Sequence, residues 1–211
     1  MKIIFLGAPG AGKGTQADHV SVRLGIPAIS TGAIIREAIK NGTETGLKAK
    51  KLIEHGNLLP DDVVIEIVKD RLAKSDCSHG YILDGFPRTV PQAEAIDQLG
   101  LDIDKVISLE VDDEVIVERM TGRRICPNCG RTYHVHYNPP VDGKNCDKCK
   151  VELSIRADDA PDVVRSRLEL YHDLTEPLKH YYQDSGKLVL VIGAEEVSET
   201  KRRTFEALGI E

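Results

Sequence analysis

Apolar residues gather in short runs along the chain, at 3–6, 26–29, 81–83, 106–111 and 188–192. Each run is hydrophobic almost throughout, without the alternation of a strand that keeps one face in water. Each therefore predicts a strand buried on both faces of a parallel sheet. Helical spacing fills the intervals at 15–24, 61–74, 90–99, 113–121, 161–176 and 198–208. Strands alternating with helices predict an α/β fold, a three-layer core whose five parallel strands are covered by helices on both sides. Pro161 follows Asp158-Asp159 and reads as a first-turn proline with acidic residues at the helix N-terminus, while Pro177 predicts a break or kink near Glu176.

Two stretches interrupt the alternation. Between 31 and 59 two helical segments, 33–40 and 44–54, follow one another with no strand between them, which predicts a small helical insertion. From about 122 to 159 come Asn138-Pro139-Pro140, Asp142-Gly143, four cysteines and β-prone pieces such as 131–137. That is the composition of a small β module, too short to hold a core unaided. Its cysteines stand as Cys126-x-x-Cys129 and Cys146-x-x-Cys149 with sixteen residues between the pairs. In a reducing compartment this spacing predicts a tetrahedral zinc site with four thiolate ligands. His134 and His136 are nearby alternative ligands, but two complete pairs make the thiolates the stronger set. Cys77 lies outside the cluster and reads as a small buried hydrophobe.

Composition narrows the function. The 211 residues are 41% hydrophobic and 29% charged, with a net charge of −6. That balance argues against a broad nucleic-acid or anionic-membrane surface. The apolar residues before Gly7 are too few for a signal peptide, and no stretch reaches the roughly 20 apolar residues of a membrane span, so a cytoplasmic protein is expected. Positive charge concentrated locally then points to a small anionic ligand.

Chemistry is concentrated at Gly7-Ala8-Pro9-Gly10-Ala11-Gly12-Lys13-Gly14-Thr15, directly behind the first apolar run and ahead of a helix. Strand, glycine loop and helix in that order form a phosphate cradle, or P-loop. Glycines let consecutive N–H groups turn toward an anion, the helix N-terminus adds partial positive charge, and Lys13 adds a whole one. The expected ligand is a polyphosphate, a nucleoside triphosphate. The usual pattern has Ser or Thr directly after the lysine to hold Mg²⁺, whereas Gly14 intervenes here before Thr15. A second strand, Tyr81-Ile82-Leu83-Asp84, ends on a carboxylate that could orient Mg²⁺ or its waters, or simply cap the following turn. Gly85-Phe86-Pro87-Arg88-Thr89 follows and puts Arg88 where open α/β sheets bind ligands. Arg36, Arg88, Arg119, Arg123, Arg124, Arg156, Arg165 and Arg167 fall where crossovers and insertions begin or end, which suggests bidentate clamping of phosphoryl oxygens.

In these motifs the chain resembles the adenylate kinase family, in its bacterial form with a long, zinc-bearing lid. The resemblance covers essentially the whole chain. It is carried by residues 7–15, Ser30-Thr31-Gly32 with Arg36, Gly56-Asn57-Leu58-Leu59-Pro60-Asp61, Asp84-Gly85-Phe86-Pro87-Arg88-Thr89 with Gln92, Thr121-Gly122-Arg123-Arg124, Tyr133-His134, Asn138-Pro139-Pro140, Arg156-x-Asp158-Asp159 and Arg165-x-Arg167. Gly-Lys-Gly-Thr is itself a trait of that family. Ala33, however, stands where the family often has Asp, so an acidic group near Mg²⁺ is missing.

The resemblance implies a core from 1–29, 60–121 and 160–211, an AMP-binding insertion at 30–59 and a lid at 122–159. It implies ATP at Gly10, Ala11, Gly12, Lys13, Gly14 and Thr15, with Arg119, Arg123, Thr132, Tyr133 and Glu195 completing that site. AMP falls to Thr31, Arg36, Asn57, Leu58, Leu59, Gly85, Phe86, Pro87, Arg88, Gln92, Arg156 and Arg167. Lys13, Asp84, Arg88, Arg123, Arg156 and Arg167 are the implied catalytic set, with Asp158 and Asp159 orienting the lid arginines. Mg²⁺ with ATP and structural Zn²⁺ are the implied cofactors, and a monomer is expected.

The implied reaction is ATP + AMP ⇌ 2 ADP. Its acceptor is already an anion at neutral pH, so positioning and charge neutralisation suffice without a general base. A nucleic-acid- or protein-binding zinc module fused to a nucleotide switch is disfavoured by the negative charge and the lack of a basic, aromatic-interleaved surface. The nearer alternative is a kinase for UMP or CMP. By resemblance Thr31, Gln92 and the long lid favour AMP.

Overall fold

The computed structural model describes residues 1–210, the side chain of Thr45 excepted. In chain order they form β1 (Lys2–Gly7), α1 (Lys13–Leu24), β2 (Ala28–Ser30), α2 (Thr31–Lys40), α3 (Glu44–Glu54), α4 (Asp61–Leu72), β3 (Tyr81–Asp84), α5 (Val90–Gln98) and β4 (Lys105–Glu110). There follow α6 (Asp113–Thr121), β5 (Arg123–Ile125), β6 (Thr132–His134), α7 (Pro161–Leu170), α8 (Leu178–Asp184), β7 (Leu188–Ile192) and α9 (Val197–Leu208).

The uniformly apolar first run is the central strand of a parallel sheet ordered β2-β3-β1-β4-β7. Side chains alternate across a strand, so β1 feeds two cores at once. Ile3 and Phe5 pack on one face with Ala17, Val20, Ile107 and Leu109, while Ile4 and Leu6 pack on the other with Ile29, Leu83, Phe86 and Ile96. Each of these large side chains is almost wholly buried, worth about 1.5–3 kcal/mol apiece. A polar residue at any of the four β1 positions would remove that gain from one layer. Register pairs Phe5 with Asp84 and Leu6 with Ser108, so the carboxylate ending β3 comes level with the loop that follows β1.

Some boundaries differ from those the pattern predicts, each for a local reason. The helix expected from 15 begins at Lys13, because the glycine loop closes as soon as Gly12 takes a left-handed conformation as its N-cap. The segment expected as one helix over 161–176 is α7 followed by a π turn, Tyr171–Thr175, closed by Glu176 N donating to Tyr171 O at 2.8 Å. Pro177 lacks an N–H to continue the ladder, and the chain restarts as α8, which the pattern did not predict. Leu178 and Tyr182, one turn apart on α8, are buried in the core.

Two substructures hang on the strand ends. In one, α2 and α3 pack on each other after N-caps at Ser30 and Thr43. In the other, the cysteine-bearing module, β5 and β6 pair antiparallel and are extended by a bridge between Ile125 and Ser154. Lys40 at the end of α2 donates to Pro127 O at 3.3 Å, so the two substructures touch. Among the described residues no helix is long and apolar enough to cross a membrane.

The α2–α3 pair packs backbone against backbone at Gly46, where an added Cβ would lie 2.2 Å from Ala38 O. Alanine improves helix propensity by about 1 kcal/mol over glycine, but overpacking against a backbone that cannot yield costs about 1–3 kcal/mol. Gly46→Ala is therefore expected to be net destabilising. Limited proteolysis should show earlier cleavage within 31–59, and a variant as resistant as the parent would contradict the close packing.

Candidate active site

The loop from Gly7 to Lys13 is shaped by what it must pass. An added Cβ at Gly10 would lie 2.6 Å from Met120 Cγ, so only glycine lets the loop run beneath α6. At the start of α1 no side chain caps the helix, which leaves its first N–H groups available to an anion. Lys13 sits in that first turn and donates from Nζ to Gly7 O at 2.7 Å and Ala8 O at 2.8 Å. Burial lowers its pKa most. The Asp84 carboxylate opposes that, Arg88, Arg167 and Arg123 push it down further, and it settles at about 8.

A cleft opens beside this loop, over the carboxyl ends of the strands. Of the residues implied for AMP, Thr31, Arg36, Asn57, Leu58, Leu59, Gly85, Arg88, Gln92, Arg156 and Arg167 line it. Phe86 and Pro87 do not. Their side chains turn into the interior, Phe86 with 2% exposure, because the residues after β3 are drawn down onto the core before Arg88 emerges. Thr31 Oγ1 donates to Gly85 O at 2.8 Å, and Arg88 Nε donates to the same oxygen at 2.9 Å.

Arginines from separate elements converge on the cleft. Arg123 donates from Nε to Asp159 Oδ2 at 2.8 Å, with a second bond from its terminal nitrogen. Arg156 makes the same two-pronged contact with Asp158, and Arg167 donates to Asp158 Oδ2 at 2.8 Å. Burial works to raise the Asp158 pKa, yet the Arg156 hydrogen bond and the charges of Arg156, Arg167 and Arg123 outweigh it and bring it to about 2. Burial and the like charges around them lower Arg36 and Arg167 to about 10, with Asp158 opposing. Arg88 is lowered too, by burial above all, while Asp84 opposes. Arg124 and Arg165 stand apart: Arg124 donates to Thr121 O and Arg123 O, and Arg165 is exposed on α7.

On the other side of the loop Arg119 donates to Ala194 O at 2.8 Å, next to Glu195. The charges of Glu195 and Arg119 both act on the Tyr137 phenol, whose hydroxyl donates to Glu118 Oε1 at 2.7 Å. Tyr137 was not singled out in the sequence, where one exposed aromatic in a polar module carries no pattern. Thr132 is exposed at the edge of β6, but Tyr133 is 3% exposed and its ring belongs to the small core of the module. Thr175 was also missed. The π turn brings its hydroxyl to donate to Arg88 O at 2.8 Å, and nothing in the helical pattern announces that turn.

The four cysteines come together as the spacing predicts. Their sulfurs all lie within 4.8 Å of one another. Two matching turns present them: Gly130 N donates to Cys126 O, and Lys150 N to Cys146 O, with Gly130 and Lys150 both at positive φ. Tyr133 Oη donates to Cys146 Sγ at 3.4 Å, a partner suited to a thiolate. Four soft donors at this spacing fit zinc. His134 is not part of the set, since its Nδ1 accepts from His136 N and Tyr137 N at 3.1 Å.

A sequence model described as adenylate kinase matches residues 5–187. The chain is 56% identical to an adenylate kinase of Caldicellulosiruptor bescii over the full length of both. It is 52% identical to one of Ruminiclostridium cellulolyticum, again over the full length of both. With the one from Acetivibrio thermocellus identity is 49%, over 99% of this chain and 98% of the relative. Phosphate loop, arginine cleft and these matches agree: the chain belongs to the adenylate kinase family.

Proposed function

We propose that the chain catalyses ATP + AMP ⇌ 2 ADP in one site, with ATP on the loop of residues 10–15 and AMP in the arginine-lined cleft. The observation that carries this reading is the convergence of Lys13 with Arg36, Arg88, Arg123, Arg156 and Arg167 around one opening at the sheet's carboxyl edge. Such a cluster is repulsive by itself and suits two polyanions brought end to end. An AMP phosphate oxygen attacks the γ-phosphorus in line, and ADP leaves. Lys13 follows the β and γ oxygens, Arg88 holds the acceptor phosphate, and Arg123, Arg156 and Arg167 neutralise the charge on the transferring group. Arg119, with Tyr137 and Glu195 beside it, takes the adenine end of ATP.

Asp84 offers the hard oxygen donor that Mg²⁺ prefers, close enough to Lys13 to act on its charge, and would hold Mg²⁺ or its waters, which would supply further neutralisation of phosphate charge. Residues 30–59 serve as the AMP-binding insertion and 122–159 as a lid, and their closure keeps water, the rival acceptor, from the γ-phosphate. Cys126, Cys129, Cys146 and Cys149 would hold a structural zinc, and four protein ligands would leave it no part in the chemistry. The net charge of −6 supports a monomeric enzyme without a nucleic-acid or anionic-membrane partner.

A panel of monophosphate acceptors with ATP tests the function. AMP should exceed UMP and CMP in kcat/KM by about a hundredfold or more, and comparable rates would favour the pyrimidine reading. Arg88→Lys, which exchanges a two-pronged donor for a point charge, should lower turnover by a factor of about 10².

Lys13 gives a pH test. Its pKa in the free protein is about 8, below its ordinary value of 10.5, and a bound polyphosphate favours the charged form. ATP affinity should therefore fall as pH rises through about 8, because binding must then draw in a proton. Calorimetry at pH 8.5 in buffers of different ionisation enthalpy should show that uptake in the parent and its loss in Lys13→Met. Equal uptake in both would assign the proton elsewhere.

For the metal, Cys146→Ser should lower zinc content and thermal midpoint while leaving measurable phosphoryl transfer at low temperature. Loss of activity from a lid that stays folded would contradict the structural role.

A further inference from the structure

Gln92 is 1% exposed and faces the cleft, and its amide is held at both ends. Oε1 accepts from Arg88 N at 2.8 Å, while Nε2 donates to Asp61 Oδ1 at 2.7 Å. The same Asp61 oxygen accepts from Thr89 Oγ1 at 3.1 Å, and that hydroxyl accepts in turn from Gln92 N at 3.3 Å. Asp61, Thr89 and Gln92 thus close a ring across the starts of α4 and α5. Asp61 stands in the first turn of α4.

A primary amide keeps its shape when turned by half a revolution, but its donors and acceptors change places. Turned that way, Gln92 would set Nε2 against the Arg88 N–H and Oε1 against the Asp61 carboxylate. Each is a like-for-like contact in a buried site, a penalty of roughly tenfold or more in population. The orientation seen leaves one N–H and one lone pair of the amide uncommitted. An adenine edge offers an N1 acceptor beside a 6-amino donor, whereas a 6-oxopurine offers N1–H beside a carbonyl, the reverse order. The direction in which Gln92 is locked therefore determines which of the two it matches.

We propose that Asp61 is the positioning residue for base selection: together with the Arg88 N–H it locks the Gln92 amide, and the lock makes the cleft prefer a 6-aminopurine monophosphate over a 6-oxopurine one. The proposal rests on the reading that this cleft takes AMP with its base toward Gln92. Asp61→Asn keeps the size of the side chain but can present either a donor or an acceptor, so only the Arg88 N–H is left to set the amide's direction.

The test measures kcat and KM with AMP and with inosine monophosphate as acceptor, at saturating MgATP, for the parent, Asp61→Asn and Gln92→Leu. Asp61→Asn should lower the AMP-to-inosine-monophosphate ratio of kcat/KM by about tenfold, chiefly through a lowered KM for inosine monophosphate, with KM for ATP unchanged. An unchanged ratio overturns the proposal, and so does an equal rise in both acceptor KM values, which is what mere loosening of α4 would give. Asp61→Ser, whose hydroxyl suits a helix start and can also either donate or accept, should move the ratio in the same direction if the first variant folds poorly. Gln92→Leu separates the two failures: if it leaves the ratio intact, the base does not face Gln92, and the reading of the cleft falls along with the proposal.

Discussion

Repulsion among like charges is the constraint from which the rest of the structure follows. In a partly buried space Lys13, Arg36, Arg88 and Arg167 each feel arginine charges drawn from Arg88, Arg123, Arg156 and Arg167 that work against their protonated forms. Two unit charges 4 Å apart at an effective dielectric of 20 interact by about 4 kcal/mol, so such a group does not assemble unaided. Part of the compensation is internal. Asp158 and Asp159, side by side in one short turn, hold Arg123, Arg156 and Arg167 by two-pronged and bridging contacts. The remaining repulsion is what a polyphosphate relieves, and it makes binding and catalysis depend on the same charges.

The fold brings those charges together because they come from different parts of the chain. A parallel sheet sends the ends of β1, β2 and β3 to one edge, and Lys13, Arg36 and Arg88 are all carried within a turn or two of those ends. Arg123 and Arg156 belong to the cysteine module and Arg167 to the helix that leaves it. Arg123 and Arg156 reach the arginine cluster because the module lies against it, held there by Asp158 and Asp159. The contact between Lys40 and Pro127 O joins the tip of the helical insertion to the first cysteine turn, so both coverings bear on the site together. An enzyme that must keep water from a reactive phosphate gains from such mutual dependence.

The four-cysteine cluster bears on a different difficulty, that of size. The module's own core consists of Cys126, Tyr133 and Cys146, with Cys149, Val151 and Leu153 against it. Those few apolar groups do not offset the ordering of some forty residues, at roughly 1–2 kcal/mol of backbone entropy each. A metal held by these four side chains would supply the missing rigidity. The ring of Tyr133 belongs to this core, its hydroxyl shared between Cys146 Sγ and Asp147 N.

By itself the sequence determined whatever depends on local pattern. The apolar runs specified a buried parallel sheet, since only strands covered on both faces need to be hydrophobic throughout. The glycine loop between strand and helix specified a phosphate cradle, and paired cysteines specified a metal cluster, because both chemistries are written in residues a few positions apart. Only the tertiary structure decided which arginines meet at the cleft. Arg123 and Arg124 are neighbours in sequence, yet one grips Asp159 and the other turns back to Thr121 O, a choice made by strand pairing in β5. It also decided that Phe86 and Pro87 go to the interior while Arg88 goes to the cleft, that a π turn carries Thr175 beneath Arg88, and that Asp61 meets Gln92 across 31 positions. These contacts join residues far apart along the chain, whose nearness depends on how helices pack on the sheet, and no periodicity within one segment encodes that packing.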